Sequence, residues 1–321
     1  MTSEYRQFKH TPVLLAECLE QSHLKPQQTF VDATLGGAGH SLEMAKLIGA
    51  GGTLIGIDQD EVALAAARQR LESLPVEQRP HLELLRGNFG DMDDLLVSAE
   101  VPGVDAFLFD LGVSSVQIDT PSRGFSFKEN GPLDMRMDPG KQTLTAAEII
   151  NTYNAADLTR IIRTNSDEKW ASRIADFIVR EREKAPFETS EQLVDLIKAA
   201  IPASARRAGG HPAKRTFQAL RIEVNSELDV LRRGLDAAVR WLNPGGRLVV
   251  ISYHSLEDRI VKETFNSYAN RCTCPPDLPV CVCGKQPILD VITRKPLLPT
   301  PGEIERNPRA RSAKLRVAQK R

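Results

Sequence analysis

Short apolar segments alternate with helical patterns in the first half of the chain, and this alternation most limits the folds available to it. Such alternation is typical of a parallel sheet covered by helices. Four segments rich in branched and aromatic residues have strand length, and each ends at a polar or glycine-bearing turn. They are Thr29–Ala33, Leu54–Asp58, Leu82–Arg86 and Val104–Asp110, with a helix predicted over Asp60–Leu74. The sequence therefore predicts an α/β fold.

The fifth predicted strand, Arg247–Tyr253, comes only after a gap much longer than one crossover helix requires. A turn string, Asn243–Gly246, is predicted to end the helix that precedes this strand. Within the gap, apolar residues recur at helical spacing and no convincing strand pattern is present. We therefore predict an inserted helical domain over 118-223, within an α/β domain formed by 1-117 and 224-321.

The composition is that of an ordinary globular protein, with 26% charged and 41% hydrophobic residues in a chain of 321. This composition excludes collagen-like and intrinsically disordered chains. No segment reaches the roughly 18 to 20 consecutive apolar residues of a membrane helix, and the first residues lack the apolar core of a secretory signal. We therefore expect a cytoplasmic protein with no membrane partner.

A glycine-rich turn, with Gly36, Gly37 and Gly39, follows the first predicted strand and leads into a helical segment. Such a turn lets a ligand approach main-chain N–H groups at a helix N-terminus, where the dipole favours anionic groups. The alternative is a tight strand-to-helix turn with no ligand. A dinucleotide fingerprint would require a third glycine where this chain has Leu42. A pyrophosphate cofactor is therefore not predicted.

Acidic residues lie at or near the ends of three predicted strands, where open α/β sheets bind their ligands. Asp58 stands 22 residues after Gly36, where nucleotide-binding folds place an acid on the ribose hydroxyls. Asp60 is better placed than Asp58 to cap the following helix. Asp32 and Asp110 are expected in the same cleft, and a carboxylate-lined cleft suits a cationic sulfonium better than a pyrophosphate. The pattern predicts an S-adenosylmethionine-dependent methyltransferase.

Long and unusual strings occur along nearly the whole chain. They are Lys9–Leu15, Asp32–His40, Asp110–Ser115 with Gln117, Arg123–Phe127, Gly131–Asp138, Arg215–Arg221, Ser252–Arg259 and Asn307–Ser312. With these strings the chain resembles the bacterial family that methylates the exocyclic N4 of a cytidine in 16S ribosomal RNA. The resemblance includes the predicted insertion and the C-terminal segment.

The resemblance implies a Rossmann-like class I methyltransferase with a mixed, mainly parallel sheet and an inserted all-helical RNA-substrate domain. It implies S-adenosylmethionine as cofactor and, as target, the P-site cytidine of 16S ribosomal RNA in the small subunit, which also carries a 2′-O-methyl group added by a different enzyme. The cofactor contacts expected in this way are Gly36 of the glycine turn with Ala38, Gly39, His40, Asp58, Phe89, Asp110 and Gln117. From its place after the third strand, Phe89 either covers the adenine or packs in the core.

The group that accepts an N4 hydrogen is not settled by the resemblance. Many amino-group methyltransferases carry Asp/Asn-Pro-Pro-aromatic after the fourth strand, whereas this chain has Asp110-Leu-Gly-Val. The acceptor is Asp110, Ser114, a backbone carbonyl or a residue of the insertion, and Asp110 is our candidate catalytic residue. His254, directly after the fifth strand, is either another proton acceptor or a hydrogen-bonded structural histidine.

The formal net charge is zero, with 42 basic and 42 acidic residues, but the charges are unevenly distributed. Residues 285–321 contain ten lysines and arginines and three acids, a net charge of +7. The end of this segment, Asn307–Arg321, is predicted to contact RNA phosphates. A second predicted RNA contact is the loop that contains Arg206, Arg207, Lys214 and Arg215. The alternative for both features is a solvated surface.

Four of the five cysteines, Cys272, Cys274, Cys281 and Cys283, form a C-x-C-x6-C-x-C pattern. Four clustered thiols in a cytosolic protein suggest tetrahedral zinc, although structural zinc sites usually show C-x2-C spacing. A structural zinc and free or redox-active thiols therefore both stay open. The fifth, Cys18, lies in an apolar helical stretch and is predicted in the core.

Two rival functions share part of this pattern. A small-molecule or protein methyltransferase would have the same cofactor features, but the strings in the insertion and the basic C-terminal segment count against it. A non-catalytic RNA-binding or assembly factor would not need intact Asp58, Asp110 and glycine turn. The sequence leaves both a monomer and a homodimer open.

Overall fold

The computed structural model of the chain describes residues 12–206, 210–270, 274, 279–280, 283–284 and 286–321. Two compact units are present, which we call the sheet unit and the helical unit. The sheet unit combines the described residues up to Gly112 with Asp229–Arg321, and the helical unit comprises Val113–Leu228. The limits of the inserted domain drawn from the sequence, 118-223, each lie five residues inside those of the helical unit.

A seven-stranded sheet forms the centre of the sheet unit. Its strands are β1 (Thr29–Asp32), β2 (Thr53–Asp58), β3 (His81–Arg86), β4 (Val104–Asp110), β5 (Leu242–Ser252), β6 (Leu289–Val291) and β7 (Lys314–Lys320). The strand order is β3-β2-β1-β4-β5-β7-β6; the first five of these pair in parallel, and β7 is antiparallel to both its neighbours. The predicted α/β fold class with a mixed, mainly parallel sheet is confirmed.

The helices contain the apolar periodicity that the sequence shows. In chain order they are α1 (Leu15–Ser22), α2 (Gly39–Ile48), α3 (Glu61–Glu72), α4 (Met92–Ser98), α5 (Ser115–Asp119), α6 (Ala146–Thr152), α7 (Ala155–Ser166), α8 (Ala171–Arg182), α9 (Ser190–Ala200), α10 (Ala203–Arg206), α11 (Lys214–Asn225), α12 (Glu227–Trp241), α13 (Ser255–Ala269) and α14 (Pro301–Arg306). Within the described ranges, none of them is both long and apolar enough to cross a lipid bilayer.

Each unit has its own apolar core. In the sheet unit, strand residues such as Phe30 and Leu108 are fully buried against α1, α2 and α3, and Cys18 of α1 lies in this core as predicted. In the helical unit, Ile161, Ile174 and Phe217 belong to a core formed by its helices and the segment before them. Full burial of one such side chain stabilises a fold by about 1.5–3 kcal/mol.

The sequence predicts the turn string Asn243–Gly246 before the fifth strand, whereas in the structure it is part of β5. Helix α12 ends at Trp241 as expected, but β5 already begins at Leu242 and includes the string. The pairing of β4 with β5 has an irregularity between Val104 and Ala106, opposite this part of β5. The string therefore makes an irregular start to the strand, and the prediction that it lies before the strand is wrong.

The C-terminal segment Asn307–Arg321 differs more from its prediction than the turn string does. The sequence predicts Asn307–Arg321 as a basic tail that contacts RNA or solvent, yet its last part is β7, which lies between β5 and β6 in the sheet. Leu315, Val317 and Ala318 of this strand are fully buried. The prediction of a tail is wrong for β7 because apolar residues between the basic ones complete the sheet, which a count of charges cannot show. An RNA contact of the exposed Arg309 and Arg311 before β7 stays a prediction.

The cations of β7 have partners inside the sheet unit. Arg316 is buried, and its Nε donates to Oδ1 of Asp258 at 2.6 Å, while Lys314 lies 3.1 Å from the other carboxylate oxygen. Arg321 pairs with Asp290 at 2.6 Å. Lys320 donates to the carbonyl oxygens of Val239 and Arg240, which caps the end of α12. Four cations of this segment therefore have partners inside the sheet unit.

Candidate active site

The predicted glycine turn follows β1 and leads directly into α2. Ala38, the residue before α2, has a left-handed backbone with φ 56° and ψ 37°, and Gly36 also has a positive φ of 50°. This conformation costs a non-glycine residue about 1–2 kcal/mol, so Ala38 is a strained position. The alanine side chain cannot cap α2, whose first N–H groups have no partner within the helix. They therefore suit an anionic group of a ligand.

The turn is held in shape by contacts on both sides. A Cβ atom at Gly39 would stand 2.9 Å from Cγ of Pro12, so this position requires glycine for close packing. On the other side, Nη1 of Arg70 in α3 donates to the carbonyl oxygen of Gly37 at 3.2 Å. The main chain is thus fixed at the residues expected to meet the cofactor.

Asp58 ends β2, and its carboxylate is bonded to the glycine turn. Oδ2 accepts the N–H of Gly36 at 2.8 Å, and Oδ1 accepts the N–H of Asp60 at 2.9 Å. Burial raises the pKa of Asp58 from 3.8 to about 6, and the two backbone hydrogen bonds only partly oppose this. Each oxygen keeps a second lone pair for a ligand hydroxyl. Asp60 caps α3 as predicted, since it accepts the N–H of Val62 at 3.0 Å.

We expect the affinity for the cofactor to decrease as the pH is lowered below about 6. Only the ionised carboxylate of Asp58 can accept from two ribose hydroxyls, so the dissociation constant should rise up to about tenfold per pH unit as Asp58 is protonated. The raised pKa of Asp58 also affects folding of the protein without ligand. The free energy of unfolding decreases as pH rises from 3.8 to about 6, because the folded state binds this proton more tightly than the unfolded state. Calorimetric titration of S-adenosylmethionine from pH 5 to 8 measures the binding change.

Two matched variants accompany this titration. Asp58→Asn is expected to bind about 10–100-fold more weakly at pH 8, with a flat pH profile. Asp60→Asn keeps a residue that caps α3 and should keep the pH dependence. A pH profile for Asp58→Asn as steep as that of the wild type would remove Asp58 from the ribose site.

Asp110 ends β4, and its two carboxylate oxygens have different surroundings. Oδ1 accepts the hydroxyl of Tyr253 at 2.7 Å, whereas Oδ2 lies 3.7 Å from Nδ1 of His40. The backbone N–H of Asp110 donates to Oγ1 of Thr34 at 2.7 Å, which fixes the end of the strand to the glycine turn. The side chain is 23% exposed. Asp110 is therefore held firmly and remains accessible.

His40 is the second residue of α2 and is buried. Its Nε2 lies 2.9 Å from the carbonyl oxygen of Val13, an acceptor only, so Nε2 carries a proton. Its Nδ1 faces Oδ2 of Asp110 at 3.7 Å. The N-terminal string Lys9–Leu15 thus contributes the carbonyl that orients His40, and the N–H of Leu14 donates to Glu303 at 2.7 Å.

Asp32 is buried and is hydrogen-bonded to other groups of the fold. It is 2% exposed and accepts hydrogen bonds from Oγ of Ser41 at 2.5 Å and from the N–H of Thr34 at 3.1 Å. Burial raises the pKa of Asp32, while the Ser41 hydroxyl lowers it. Asp32 therefore binds α2 to the end of β1, and its oxygens are used inside the fold.

Phe89 is predicted either to cover the adenine or to pack in the core. It opens a short 3-10 turn after β3 and its ring meets Phe109 edge-on, with centroids 5.5 Å apart. A Cβ atom at Gly234 of α12 would come within 2.6 Å of the ring, so Gly234 makes room for it. The ring stays partly exposed. The ring is therefore supported from the core and remains partly accessible.

The remaining predicted cofactor residue, Gln117, lies in the helical unit. Its Oε1 accepts the N–H of Ser114 at 3.0 Å, and Oγ of Ser114 accepts the N–H of Gln117 at 3.2 Å. This reciprocal capping box fixes the start of α5. Both side chains therefore have a structural role, and the cofactor contact of Gln117 stays a prediction.

His254, the other candidate proton acceptor, caps α13. Its Nδ1 accepts the N–H of Glu257 at 3.4 Å, and its Nε2 lies 3.0 Å from Oε1 of the same residue. Oε2 of Glu257 accepts the N–H groups of Tyr253 and His254 at 2.8 and 3.2 Å. With both ring nitrogens directed at Glu257, the structure favours the structural interpretation of His254.

The predicted basic loop lies in the helical unit. Arg206 ends α10 and is exposed, whereas Arg207 lies outside the described residues. Lys214 and Arg215 begin α11, where cations oppose the helix dipole. Arg215 lies 3.8 Å from the buried Glu168 and is still 54% exposed. The described cations of this loop are therefore accessible to an anionic partner.

The four-cysteine pattern falls only partly within the described chain. Cys272 and Cys281 lie outside it, and Cys274 and Cys283 are partly exposed. The zinc site predicted on these four residues therefore stays a prediction.

Sequence reasoning assigned no role to Tyr253, although its hydroxyl contacts Asp110. The available signal was its place in the string Ser252–Arg259, directly after β5, at the edge of the sheet where β4 also ends. Strands β4 and β5 are parallel neighbours, so their carboxyl ends meet. A tyrosine at that end was therefore a candidate site residue.

The chain is similar to one protein family along nearly its whole length. The model of the MraW methylase family matches residues 7–321. Ribosomal RNA small subunit methyltransferase H of Symbiobacterium thermophilum is 53% identical over 98% of this chain and 97% of its own length. The proteins named ribosomal RNA small subunit methyltransferase H 2 of Agathobacter rectalis and methyltransferase H of Ruminiclostridium cellulolyticum are 52% and 49% identical, each over 98% of this chain and 99% of their own length. These matches confirm the resemblance drawn from the sequence strings, and the chain belongs to the MraW methylase family.

Proposed function

We propose that the protein transfers a methyl group from S-adenosylmethionine to the exocyclic N4 amine of one P-site cytidine in 16S ribosomal RNA. The products are N4-methylcytidine and S-adenosylhomocysteine. The observation that carries the proposal is the match, over nearly the whole of both chains, to relatives named as small-subunit ribosomal RNA methyltransferases. The geometry at the ends of β1, β2 and β4 supports it.

The residues present fit this cofactor. The unpartnered N–H groups at the start of α2 suit the carboxylate of its methionine part, and Asp58 suits the ribose hydroxyls. Asp110 brings a carboxylate, which favours a cationic sulfonium. Phe89 offers a ring face to the adenine. Gly36, Ala38, Gly39 and His40 complete the proposed cofactor site of the sheet unit, and a cofactor contact of Gln117 is proposed from the family resemblance alone.

The cofactor supplies the methyl group: N4 attacks the methyl carbon, and the carbon–sulfur bond breaks with its electron pair going to sulfur. The nucleophile is weak because its lone pair is delocalised into the cytosine ring. The chain must therefore hold N4 close to the methyl carbon and accept its N–H hydrogen bonds. We assign this to Oδ2 of Asp110, which also takes the proton that N4 loses. The carboxylate is fixed by the Tyr253 hydroxyl and the backbone of the same residue by Thr34, which meets the need for a preorganised acceptor.

Transfer of label tests the function directly. S-adenosylmethionine with a tritiated methyl group is incubated with 30S particles, naked 16S RNA or protein fractions, and the RNA is digested to nucleosides. Label in N4-methylcytidine, with a single methyl group per RNA, is the expected result, and the comparison of particles with naked RNA identifies the substrate form. Label on protein would favour the rival protein methyltransferase, and no label would favour the non-catalytic assembly factor.

We assign RNA phosphate contacts to the basic loop of the helical unit. Arg206 and Lys214 are exposed, and His211 beside them stacks on Phe127 with centroids 4.7 Å apart, which anchors the loop. Cations at the start of α11 are unfavourable for the helix alone and become favourable when phosphate binds there.

The double variant Arg206→Ala/Lys214→Ala is expected to weaken RNA binding and to reduce the slope of log K against log salt by about 1.5 to 2. Equilibrium binding at several salt concentrations measures both changes. The control Lys141→Ala/Lys184→Ala removes two exposed lysines of the same unit and should leave the slope unchanged. Equal slopes for the two double variants would contradict a loop contact.

The finer predictions on metal, location and assembly belong to the same proposal. A structural zinc on Cys272, Cys274, Cys281 and Cys283 would leave no open coordination position for catalysis. Metal analysis of the purified protein tests it. A cytoplasmic location follows from a ribosomal substrate, and light scattering decides between monomer and homodimer.

A further inference from the structure

The hydroxyl of Tyr253 donates to Oδ1 of Asp110 at 2.7 Å. Burial and the charge of Asp110 raise the pKa of Tyr253 well above its ordinary value. The phenol therefore stays protonated and acts as a donor only towards this carboxylate. A hydrogen bond to a carboxylate contributes about 1.5–3 kcal/mol, enough to fix one orientation of the group.

Tyr253 is itself fixed from behind. Its backbone N–H donates to Oε2 of Glu257 at 2.8 Å, and Glu257 belongs to the capping box that begins with His254. The ring packs against the core of the sheet unit, 3.7 Å from the position of a Cβ atom at Gly112. The string Ser252–Arg259 thus forms one rigid support that ends in the tyrosine hydroxyl.

This support leaves the two oxygens of Asp110 unequal. Within the described part of the chain, Oδ2 makes no hydrogen bond, and it lies 3.7 Å from Nδ1 of His40. A carboxylate oxygen is an acceptor only, so Oδ2 suits an N–H donor such as an exocyclic amine. A uracil carbonyl, which has no N–H, would leave Oδ2 without a donor.

We propose that Tyr253 is a positioning residue for methyl transfer, which holds Oδ1 of Asp110 so that Oδ2, beside Nδ1 of His40, accepts the N–H of the target amine. This inference rests on the proposed function and names the residue that prepares its acceptor. No bond to Tyr253 forms or breaks: the N4 proton goes to Oδ2 and then to solvent.

The charged and titratable groups around Asp110 come from several elements. His40 faces it from α2, Cys18 from α1 and Asp32 from β1, and Glu257 acts on Tyr253 from α13. The charge of Asp110 contributes to raising the pKa of both Cys18 and Asp32. Among these, only Tyr253 donates a hydrogen bond to the Asp110 carboxylate. Its loss would let the carboxylate turn away from the orientation shown.

Tyr253→Phe tests the proposal because it removes one hydroxyl and keeps the ring that packs in the core. We expect kcat for methyl transfer to fall about 10–100-fold, since a displacement of about 1 Å in a positioned group has this effect. KM for RNA and for S-adenosylmethionine should stay within about threefold, since neither is bound by Tyr253. Rates are divided by the number of folded sites, counted by cofactor binding.

Tyr268→Phe is the matched control. Tyr268 lies on α13 of the same unit, and its hydroxyl also donates to a carboxylate, Oδ1 of Asp236, at 3.1 Å. This variant should keep the wild-type kcat. A Tyr253→Phe enzyme with the kcat of the control would overturn the proposal, as would a loss seen only in KM. A wild-type protein that puts no methyl on cytosine N4 would instead refute the proposed function, so the two failures are distinguishable.

Discussion

Asp110→Asn is expected to lower kcat for methyl transfer by about 10²–10⁴-fold while the chain stays folded. The substitution keeps the shape of the side chain, and its carbonyl oxygen can still accept the Tyr253 hydroxyl. What is lost is the charge that accepts the N4 proton and favours the developing positive charge on N4. Single-turnover methyl transfer to 30S particles measures the rate, and thermal denaturation measures folding.

Asp290→Asn is a suitable control for the loss of one carboxylate. Asp290 lies on β6 and pairs with Arg321 at a half-exposed site, where an ion pair is worth at most about 1 kcal/mol. Its variant should keep the wild-type rate. If Asp110→Asn retained a rate within threefold of this control, Asp110 would not be the acceptor, and one of the other candidates would take the role.

The structure also ranks those candidates. Oγ of Ser114 already accepts the N–H of Gln117 in the capping box of α5. His254 directs both ring nitrogens at Glu257. Each would have to give up a structural contact in order to accept a proton, whereas Oδ2 of Asp110 would not. The charge change at Asp110 therefore has the largest expected effect on catalysis.

The cofactor end was predictable from sequence because its signals are local. Each of the first four strands begins and ends within one residue of its prediction, and Asp58 and Asp110 lie at the strand ends as expected. A strand, a turn and the next helix are encoded within about 20 residues, and apolar periodicity with glycine placement describes them well.

The support behind the site was not predictable in the same way. Tyr253 and Asp110 are 143 positions apart, and their contact depends on the pairing of β4 with β5 across the whole insertion. Likewise, Arg316 is neutralised by Asp258, 58 positions away on α13. A sequence shows the charge of such residues and not their partners. The basic segment was therefore assigned to RNA, although the cations of β7 and Arg321 have partners inside the fold.

Removal of residues 317–321 is expected to abolish cooperative folding of the sheet unit. The deletion removes the fully buried Val317 and Ala318 and the pairing of β7 with both β5 and β6. It takes away most of β7, which has a paired strand on each side, and the total stability of a typical domain is only about 5–15 kcal/mol. Thermal denaturation followed by circular dichroism should show no transition comparable to that of the wild type.

The matched control separates this loss of folding from the loss of charge. The deletion removes two cations, Lys320 and Arg321, and Arg306→Gln/Arg311→Gln removes two exposed cations from the preceding segment without shortening β7. The double variant should keep the wild-type melting temperature to within a few degrees. If the deletion variant melted as cooperatively as this control, β7 would be dispensable for folding. If the deletion unfolds the sheet unit, a loss of RNA binding by this variant does not show that residues 317–321 contact RNA. RNA contacts must therefore be tested on the basic loop.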